Sequence, residues 1–353
     1  MLDIEELISQ AEQAGASDIH LVCGLPVKYR IDGEIQTLDS APLTHEDCEA
    51  YARILAGDRY GEMQTIGEID LSHSFLCGAR TRINLFRQRG SVSAAIRILS
   101  DHIPELEELQ LPSVFAEFPT YRSGIVLITG ETGSGKSTSL AALLNRINRT
   151  RAGHIITLED PIEYIYTPDR CVINQREIGT DTRSYADGLR SVLREDPDVI
   201  LIGEMRDLDT IETAITAAET GHLVFATLHT NSAADSIDRM VNVFPDGQQK
   251  QIRMEVSTTL RAVVSQQLLR RKSGRGRVAA CEIMVVNSAI RNLIREGKTP
   301  QIDSFITMNA QNGSITMDNA LRKLVQEGAI SNETALECCR DREAFTAPLN
   351  KRF

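Results

Sequence analysis

Residues Gly130-Glu131-Thr132-Gly133-Ser134-Gly135-Lys136-Ser137 follow the pattern G-x-x-x-x-G-K-[ST]. They stand between an apolar run ending at Thr129 and an amphipathic stretch that begins near Ser137. A loop of this kind requires a strand entering it and a helix leaving it, so it constrains the surrounding fold as well as the site. Gly130, Gly133 and Gly135 permit backbone turns that aim N–H groups inward, toward an anion. The N-terminus of the following helix adds the positive end of its dipole. Lys136 supplies a flexible positive charge for the β- and γ-phosphates, and the Ser137 hydroxyl suits Mg²⁺. The sequence therefore predicts that residues Gly130, Glu131, Thr132, Gly133, Ser134, Gly135, Lys136, Ser137 and Thr138 hold the phosphates of ATP with Mg²⁺.

On either side of this loop the chain alternates short apolar runs with amphipathic stretches. Runs at 125–129, 154–158, 199–202 and 223–228 read as buried strands. Helices are expected from Leu140, Leu143, Leu144 and Ile147, from Tyr185, Leu189, Val192 and Leu193, and from Ile211, Ile215 and Ala218. This alternation is the sign of a parallel sheet covered on both faces, an α/β fold. Beyond residue 230 the chain reads as mostly helical, including a run with Ile252, Val256, Leu260, Val263, Val264 and Leu268 on one face. Residues 1–100 read differently. A first helix carries Ile4, Leu7, Ile8 and Ala11, and strands follow at 19–22, 27–31, 34–38, 71–76, 81–86 and 93–99, with Asp32-Gly33 and Cys77-Gly78 as turns. That is a small α+β domain on an antiparallel sheet. The Pro-punctuated stretch 101–120 reads as a linker with a short helix near 106–109, leaving 121–353 as the second domain.

Ligands of open α/β sheets bind at the carboxyl ends of the strands. Two acidic clusters fall there, Glu159-Asp160-Pro161-Ile162-Glu163 and Gly203-Glu204. Hydrolysis of a triphosphate needs one carboxylate near the metal and one to orient or deprotonate the attacking water. Glu204 directly ends an apolar strand and suits the Mg²⁺ neighbourhood. Glu163 follows a proline turn and suits the base. For either, the plain alternative is a solvated loop carboxylate. His222 and His229 flank the run 223–228, roughly 23 Å apart if that strand is straight. His229 is at the ligand end and is the candidate γ-phosphate sensor. His222, at the far end, reads as a packing or interface residue.

Composition excludes several other classes. The net charge is -11 and aromatic residues make up 5% of the chain, which disfavours a nucleic-acid binder. The basic stretch Arg270-Arg271-Lys272 and 275–277 is rich in Gly and Ser. It reads as a solvated loop, with a subunit or lipid-headgroup contact as the alternative. Seven cysteines, at 23, 48, 77, 171, 281, 338 and 339, form no CxxC pair, as expected of reduced thiols in a cytoplasmic protein. The N-terminus has no signal-peptide pattern, and no apolar run reaches the roughly 20 residues of a membrane span.

Four segments together resemble one family: the phosphate loop, the box Ile156-Thr157-Leu158-Glu159-Asp160-Pro161-Ile162-Glu163, the box Val199-Ile200-Leu201-Ile202-Gly203-Glu204-Met205-Arg206-Asp207, and the histidine box from Thr220 to Thr230. They are similar to the secretion-ATPase superfamily of type IV pilus and type II secretion motors, and the resemblance covers nearly the whole chain. Ala289-Ile290-Arg291-Asn292-Leu293-Ile294-Arg295-Glu296-Gly297-Lys298 is similar to the C-terminal signature of its retraction motors. Extension motors commonly carry a four-cysteine zinc site, which this chain lacks the CxxC pairs to build. The resemblance implies a RecA-like P-loop ATPase domain with a smaller N-terminal PAS-like α+β domain. It implies a homohexamer docked on an inner-membrane platform protein at the cytoplasmic face, with no direct membrane span and no nucleic acid. It further implies that arginines approach the phosphates: Arg190 and Arg194 as a pair on one helix face, and Arg80 or Arg82 from the N-terminal domain.

Overall fold

A computed structural model of the chain describes residues 3–31, 34–38, 40–99 and 102–346. The expected turn at Asp32-Gly33 lies outside the described residues. The chain divides into two compact units, Met1–His102 with Glu163–Ile165, and Ile103–Ile162 with Tyr166–Phe353.

In the first unit, α1 (Ile4–Gln13) buries Ile4, Leu7, Ile8 and Ala11, and the Asp3 carboxylate caps it by accepting from the Glu5 amide at 2.9 Å. It is followed by β1 (Ala16–Leu21), β2 (Lys28–Ile31), β3 (Glu34–Thr37), α2 (His45–Ala56), α3 (Tyr60–Ile66), β4 (Glu68–Ser74), β5 (Arg80–Gln88) and β6 (Ser91–Leu99). The strands lie in the order β3-β2-β1-β6-β5-β4, every pairing antiparallel. Helices α2 and α3 fill the stretch between β3 and β4. Cys48, Tyr51, Ala52 and Leu55 give α2 its buried face, and Thr44 and Asp47 form a reciprocal capping box at its start.

The second unit holds β7 (Gly124–Thr129), α4 (Lys136–Thr150), β8 (Gly153–Glu159), β9 (Cys171–Glu177), α5 (Tyr185–Val192), β10 (Val199–Ile202) and α6 (Leu208–Glu219). After these come β11 (Leu223–Leu228), α7 (Ala233–Asn242), α8 (Asp246–Thr259), β12 (Leu260–Arg270), β13 (Arg277–Val285), α9 (Ser288–Glu296), α10 (Ile302–Met308), α11 (Met317–Gln326) and α12 (Asn332–Cys338). Its seven-stranded sheet has the order β13-β12-β7-β11-β10-β8-β9. All neighbours are parallel except β12 and β13. Every residue of β7, β10 and β11 is buried, as expected of strands covered on both faces.

Four expectations need correction. The run from Ile252 to Leu268 is not one helix: α8 ends at Thr259 and the chain continues as β12 from Leu260. Val263 and Val264 are β-branched neighbours that fit a doubly buried strand, and a helical spacing coincides with that run by chance. Strand β9 was not anticipated, because its burial is mixed and its residues are largely polar. Residues 106–110 form turns, not a helix. The stretch expected to be a linker is packed onto the second unit. Phe115 and Phe118 are buried, and Arg151 Nη1 donates to the carbonyls of Pro119 and Tyr121 at 3.4 and 2.9 Å. Residues 271–276 are the largely exposed turn between β12 and β13, flanked by Arg270 and Arg277 at the paired strand ends, and all seven cysteines are free thiols. No helix among the described residues is long and apolar enough to cross a membrane.

Candidate active site

The carboxyl ends of β7, β11 and β10 lie side by side, because Thr129 pairs with Leu228 and Ile202 with Ala226. Each strand hands the chain to one part of the site: the phosphate loop after β7, His229 after β11, and Glu204 after β10.

The phosphate loop is held from behind by β12. A Cβ at Gly130 would come within 2.3 Å of the Gln266 carbonyl oxygen, and one at Gly135 within 2.8 Å of Gln266 Nε2. Both glycines also have positive φ, 137° and 89°, so any side chain there is excluded twice over. Gln266 is buried and uses both ends of its amide. Its Nε2 donates to the Ser134 carbonyl at 2.8 Å, and its Oε1 accepts from Ser139 Oγ at 2.9 Å. One residue earlier, where β7 and β12 pair, Thr129 and Ser265 share a hydroxyl hydrogen bond at 2.9 Å. This brace escaped the sequence reading because it lies on the segment read as helix. The polar triplet Ser265-Gln266-Gln267 set between Val263-Val264 and Leu268-Leu269 is the signal that could have found it.

Within the loop, Lys136 is buried and its ammonium donates to the carbonyls of Gly130 and Glu131 at 2.7 and 2.9 Å. Ser134 Oγ is buried with no hydrogen-bond partner. Glu131, Thr132 and Gly133 are exposed at the loop tip, and Ser137 and Thr138 are half-buried on the first turn of α4. A cradle of glycine backbone, a buried ammonium turned onto the loop itself and an orphan hydroxyl form a cavity wall suited to phosphate oxygens.

Glu204 is the centre of the second cluster. Its Oε2 lies 2.7 Å from Arg206 Nη2 and its Oε1 lies 3.3 Å from His229 Nε2. Burial acts to raise the carboxyl, but the Arg206 hydrogen bond and the charges of His229 and Arg206 outweigh it and leave it below its ordinary value. Gly203 lets the backbone pass close to β8: a Cβ there would sit 2.8 Å from the Tyr185 hydroxyl and 3.1 Å from the Leu158 carbonyl. Thr227 Oγ1 on β11 donates to the Gly203 carbonyl, and the Met205 amide donates to the Thr227 carbonyl at 3.1 Å. Burial raises the Tyr185 hydroxyl well above its usual range, as do the charges of Asp160 and Glu204. It therefore stays a neutral donor beside the carboxylates.

The other expected residues have different partners. Glu163 is exposed within the stretch Glu163–Ile165 assigned to the first unit. The residues on either side of that stretch are tied to β9, with the Ile162 amide donating to Glu177 Oε2 and the Tyr166 amide to Gln175 Oε1, each at 3.0 Å. Arg190 is exposed on α5 and pairs with Asp209 at 3.1 Å and Asp187 at 3.6 Å. Helix α5 ends at Val192, so Arg194 is not on its face as expected; it lies past the end and donates back to the Arg190 carbonyl at 2.9 Å. Arg80 and Arg82 are on β5 of the first unit, Arg82 lying 3.9 Å from Asp70. His222 is at the opposite end of β11 from His229, where its Nδ1 is 2.9 Å from the Ala217 carbonyl at the end of α6.

Comparison with known proteins identifies the family. The chain matches the type II/IV secretion system protein family over residues 1–337. It is 46% identical over 345 residues to the type IV pilus retraction ATPase PilT of Pseudomonas aeruginosa, covering 98% of this chain and 100% of that protein. It is 44% identical over 318 residues to a twitching motility protein of Neisseria gonorrhoeae, covering 90% of this chain and 85% of that one. A crystal structure of the pilus retraction motor PilT with bound ADP superposes with a TM-score of 0.92 at 48% identity, over 98% of this chain and 99% of its own. The second unit is accordingly the RecA-like ATPase domain of this group, and the first its N-terminal domain. The chain belongs to the type II/IV secretion system protein family.

Proposed function

We propose that this chain is the subunit of a homohexameric ATPase motor that powers retraction of type IV pili, and with it twitching motility. The observation that carries the hydrolytic part is the convergence of the glycine-backed phosphate loop and the Glu204–His229 pair on one edge of one sheet. A binding loop alone would need no such pair. The long identity with retraction ATPases, at nearly full coverage of both chains, supports the choice of cargo.

In this reading the phosphates of ATP lie on the backbone amides from Gly130 to Thr138. Lys136 turns from the Gly130 and Glu131 carbonyls toward the β- and γ-phosphate oxygens. The donor set fits Mg²⁺, which prefers oxygen ligands: the Ser137 hydroxyl and the ionised Glu204 carboxylate, directly or through water, together with the phosphates. Among the described residues no cluster of three His, Cys, Asp or Glu would bind a metal unaided, so the ion would arrive with the nucleotide. When bound it neutralises charge developing on the phosphates. Glu163 accepts the proton of the attacking water. His229, joined to Glu204, senses whether a γ-phosphate is present. Arg190, Arg194 and one of Arg80 and Arg82 neutralise phosphate charge across subunit boundaries in the ring. The motor works at the cytoplasmic face of the inner membrane, docked on the platform protein of the pilus and bound to no nucleic acid.

Deletion of the gene followed by a twitching assay tests this. Piliated, non-motile cells are expected. Cells without pili would instead identify an assembly motor, and turnover stimulated by single-stranded DNA would contradict the pilus reading altogether.

A further inference from the structure

Glu282, on β13, has no exposed surface, yet it gathers partners from three distant parts of the second unit. Its Oε1 accepts from the Ala233 amide at 2.9 Å and from Arg340 Nη2 at 2.9 Å, and its Oε2 accepts from the Met317 amide at 3.3 Å. Ala233 opens α7 and Met317 opens α11, so one carboxylate serves two helix N-termini. Arg340 follows α12. The same Nη2 also donates to the Asn231 carbonyl at 2.7 Å, and its Nη1 is 3.6 Å from Asp303. Its own backbone is fixed by Asp318, which accepts from the Arg340 amide at 2.9 Å and the Asp341 amide at 3.4 Å.

Asn231 and Ala233 bracket the turn that leaves β11 immediately after His229. Ser232 caps α7 from within that turn by accepting from the Asp235 amide at 2.9 Å, and Thr230 shares a hydrogen bond with Ser236 at 2.7 Å. Among the described residues, every backbone hold on the turn therefore comes either from its own helix or from the Glu282–Arg340 pair. With the Glu282 side chain fully buried and that of Arg340 partly exposed, the ion pair is a poor stabiliser in itself, since desolvating the carboxylate offsets much of the attraction. What it supplies is direction: two charge-assisted hydrogen bonds that fix one short segment in one place. Burial pushes the Glu282 carboxyl up while the Arg340 charge works against it, so loss of Arg340 would leave a carboxylate with no nearby cation.

We propose that Glu282 and Arg340 are positioning residues for His229, through which the C-terminal segment sets the rate of hydrolysis without touching nucleotide. The proposal rests on the ATPase reading above. It makes Arg340 a lock on the sensor turn that a change in the C-terminal segment could open.

Steady-state ATP turnover of the full-length chain and backbone amide exchange, read in parallel, test it. Arg340→Ala is expected to lower kcat about tenfold while KM for ATP stays within about twofold, because a small misplacement next to the reacting groups costs rate while the phosphate loop is untouched. In a His229→Ala background the same substitution should lower kcat by less than about twofold, the non-additivity expected when one residue acts through another. Glu282→Gln, which keeps the side-chain volume, should reproduce the pattern and decides the matter if Arg340→Ala does not fold. Unchanged kcat in the folded variants, or a full additional loss on top of His229→Ala, would overturn the proposal. Amide exchange requires no turnover: residues 229–233 should exchange faster in Arg340→Ala, with 130–138 unchanged. Unchanged protection of 229–233 also overturns the proposal. A wild-type chain that failed to hydrolyse ATP would count against the ATPase reading alone, leaving exchange to judge the lock.

Discussion

Gln266 and Ser134 are joined by a hydrogen bond of 2.8 Å from the Gln266 amide to the Ser134 carbonyl, which ties the phosphate loop to a strand that precedes none of its residues in sequence. Because Ser139 donates to the other end of the same amide, the loop and the first turn of α4 share a single brace. Gln266→Leu keeps the bulk and removes both bonds. Each buried polar group left without a partner costs about 1–3 kcal/mol. ATP affinity, followed by titration with a fluorescent nucleotide analogue, is expected to fall roughly tenfold or more. Affinity equal to wild type would show that the loop holds its shape without β12.

Glu163→Gln separates binding from chemistry. The variant should bind ATP as tightly as wild type while turnover falls by a factor on the order of 10² to 10⁴, the usual contribution of a positioned base. Near-normal turnover would remove Glu163 from that role.

The lowered pKa of Glu204 has a signed consequence. A carboxyl whose folded value lies below the unfolded value of 4.5 contributes stability above that pH, and the contribution is lost as pH falls through the folded value. Arg206→Ala removes the strongest lowering partner. The acid limb of the pH–rate profile, and that of thermal stability, should therefore move to higher pH in this variant. Superimposable acid limbs would show that Arg206 does not govern Glu204.

Phe118 tests the boundary of the second unit. It has 0% exposure, although its neighbourhood was read from sequence as a linker. Phe118→Ala should destabilise the chain by about 3–5 kcal/mol, the cost of emptying an aromatic core site. A melting temperature unchanged from wild type would return residues 103–120 to the status of a connector.

The legible and illegible parts of the sequence divide along physical lines. The phosphate loop, β7, β10 and β11 could be read because a fully buried parallel strand leaves an apolar run, and glycines that aim a backbone at phosphate occur at fixed spacing. Glu204 and His229 could be placed because each lies within two residues of the end of such a strand. Strand β12 could not, because Leu260, Val263 and Val264 fit a helical stripe as well as a buried strand when viewed without neighbours. That ambiguity hid Gln266. Glu282 and Arg340 were out of reach for another reason. Their partnership spans 58 residues and depends on tertiary closure, which no local period records.

Strand β11 has a histidine at each end and is buried along its whole length between β7 and β10. Its backbone ladders to both neighbours leave it no freedom to move by itself, so His229 and the junction of His222 with the end of α6 are held at a fixed separation, roughly 23 Å by residue count, on opposite edges of the sheet.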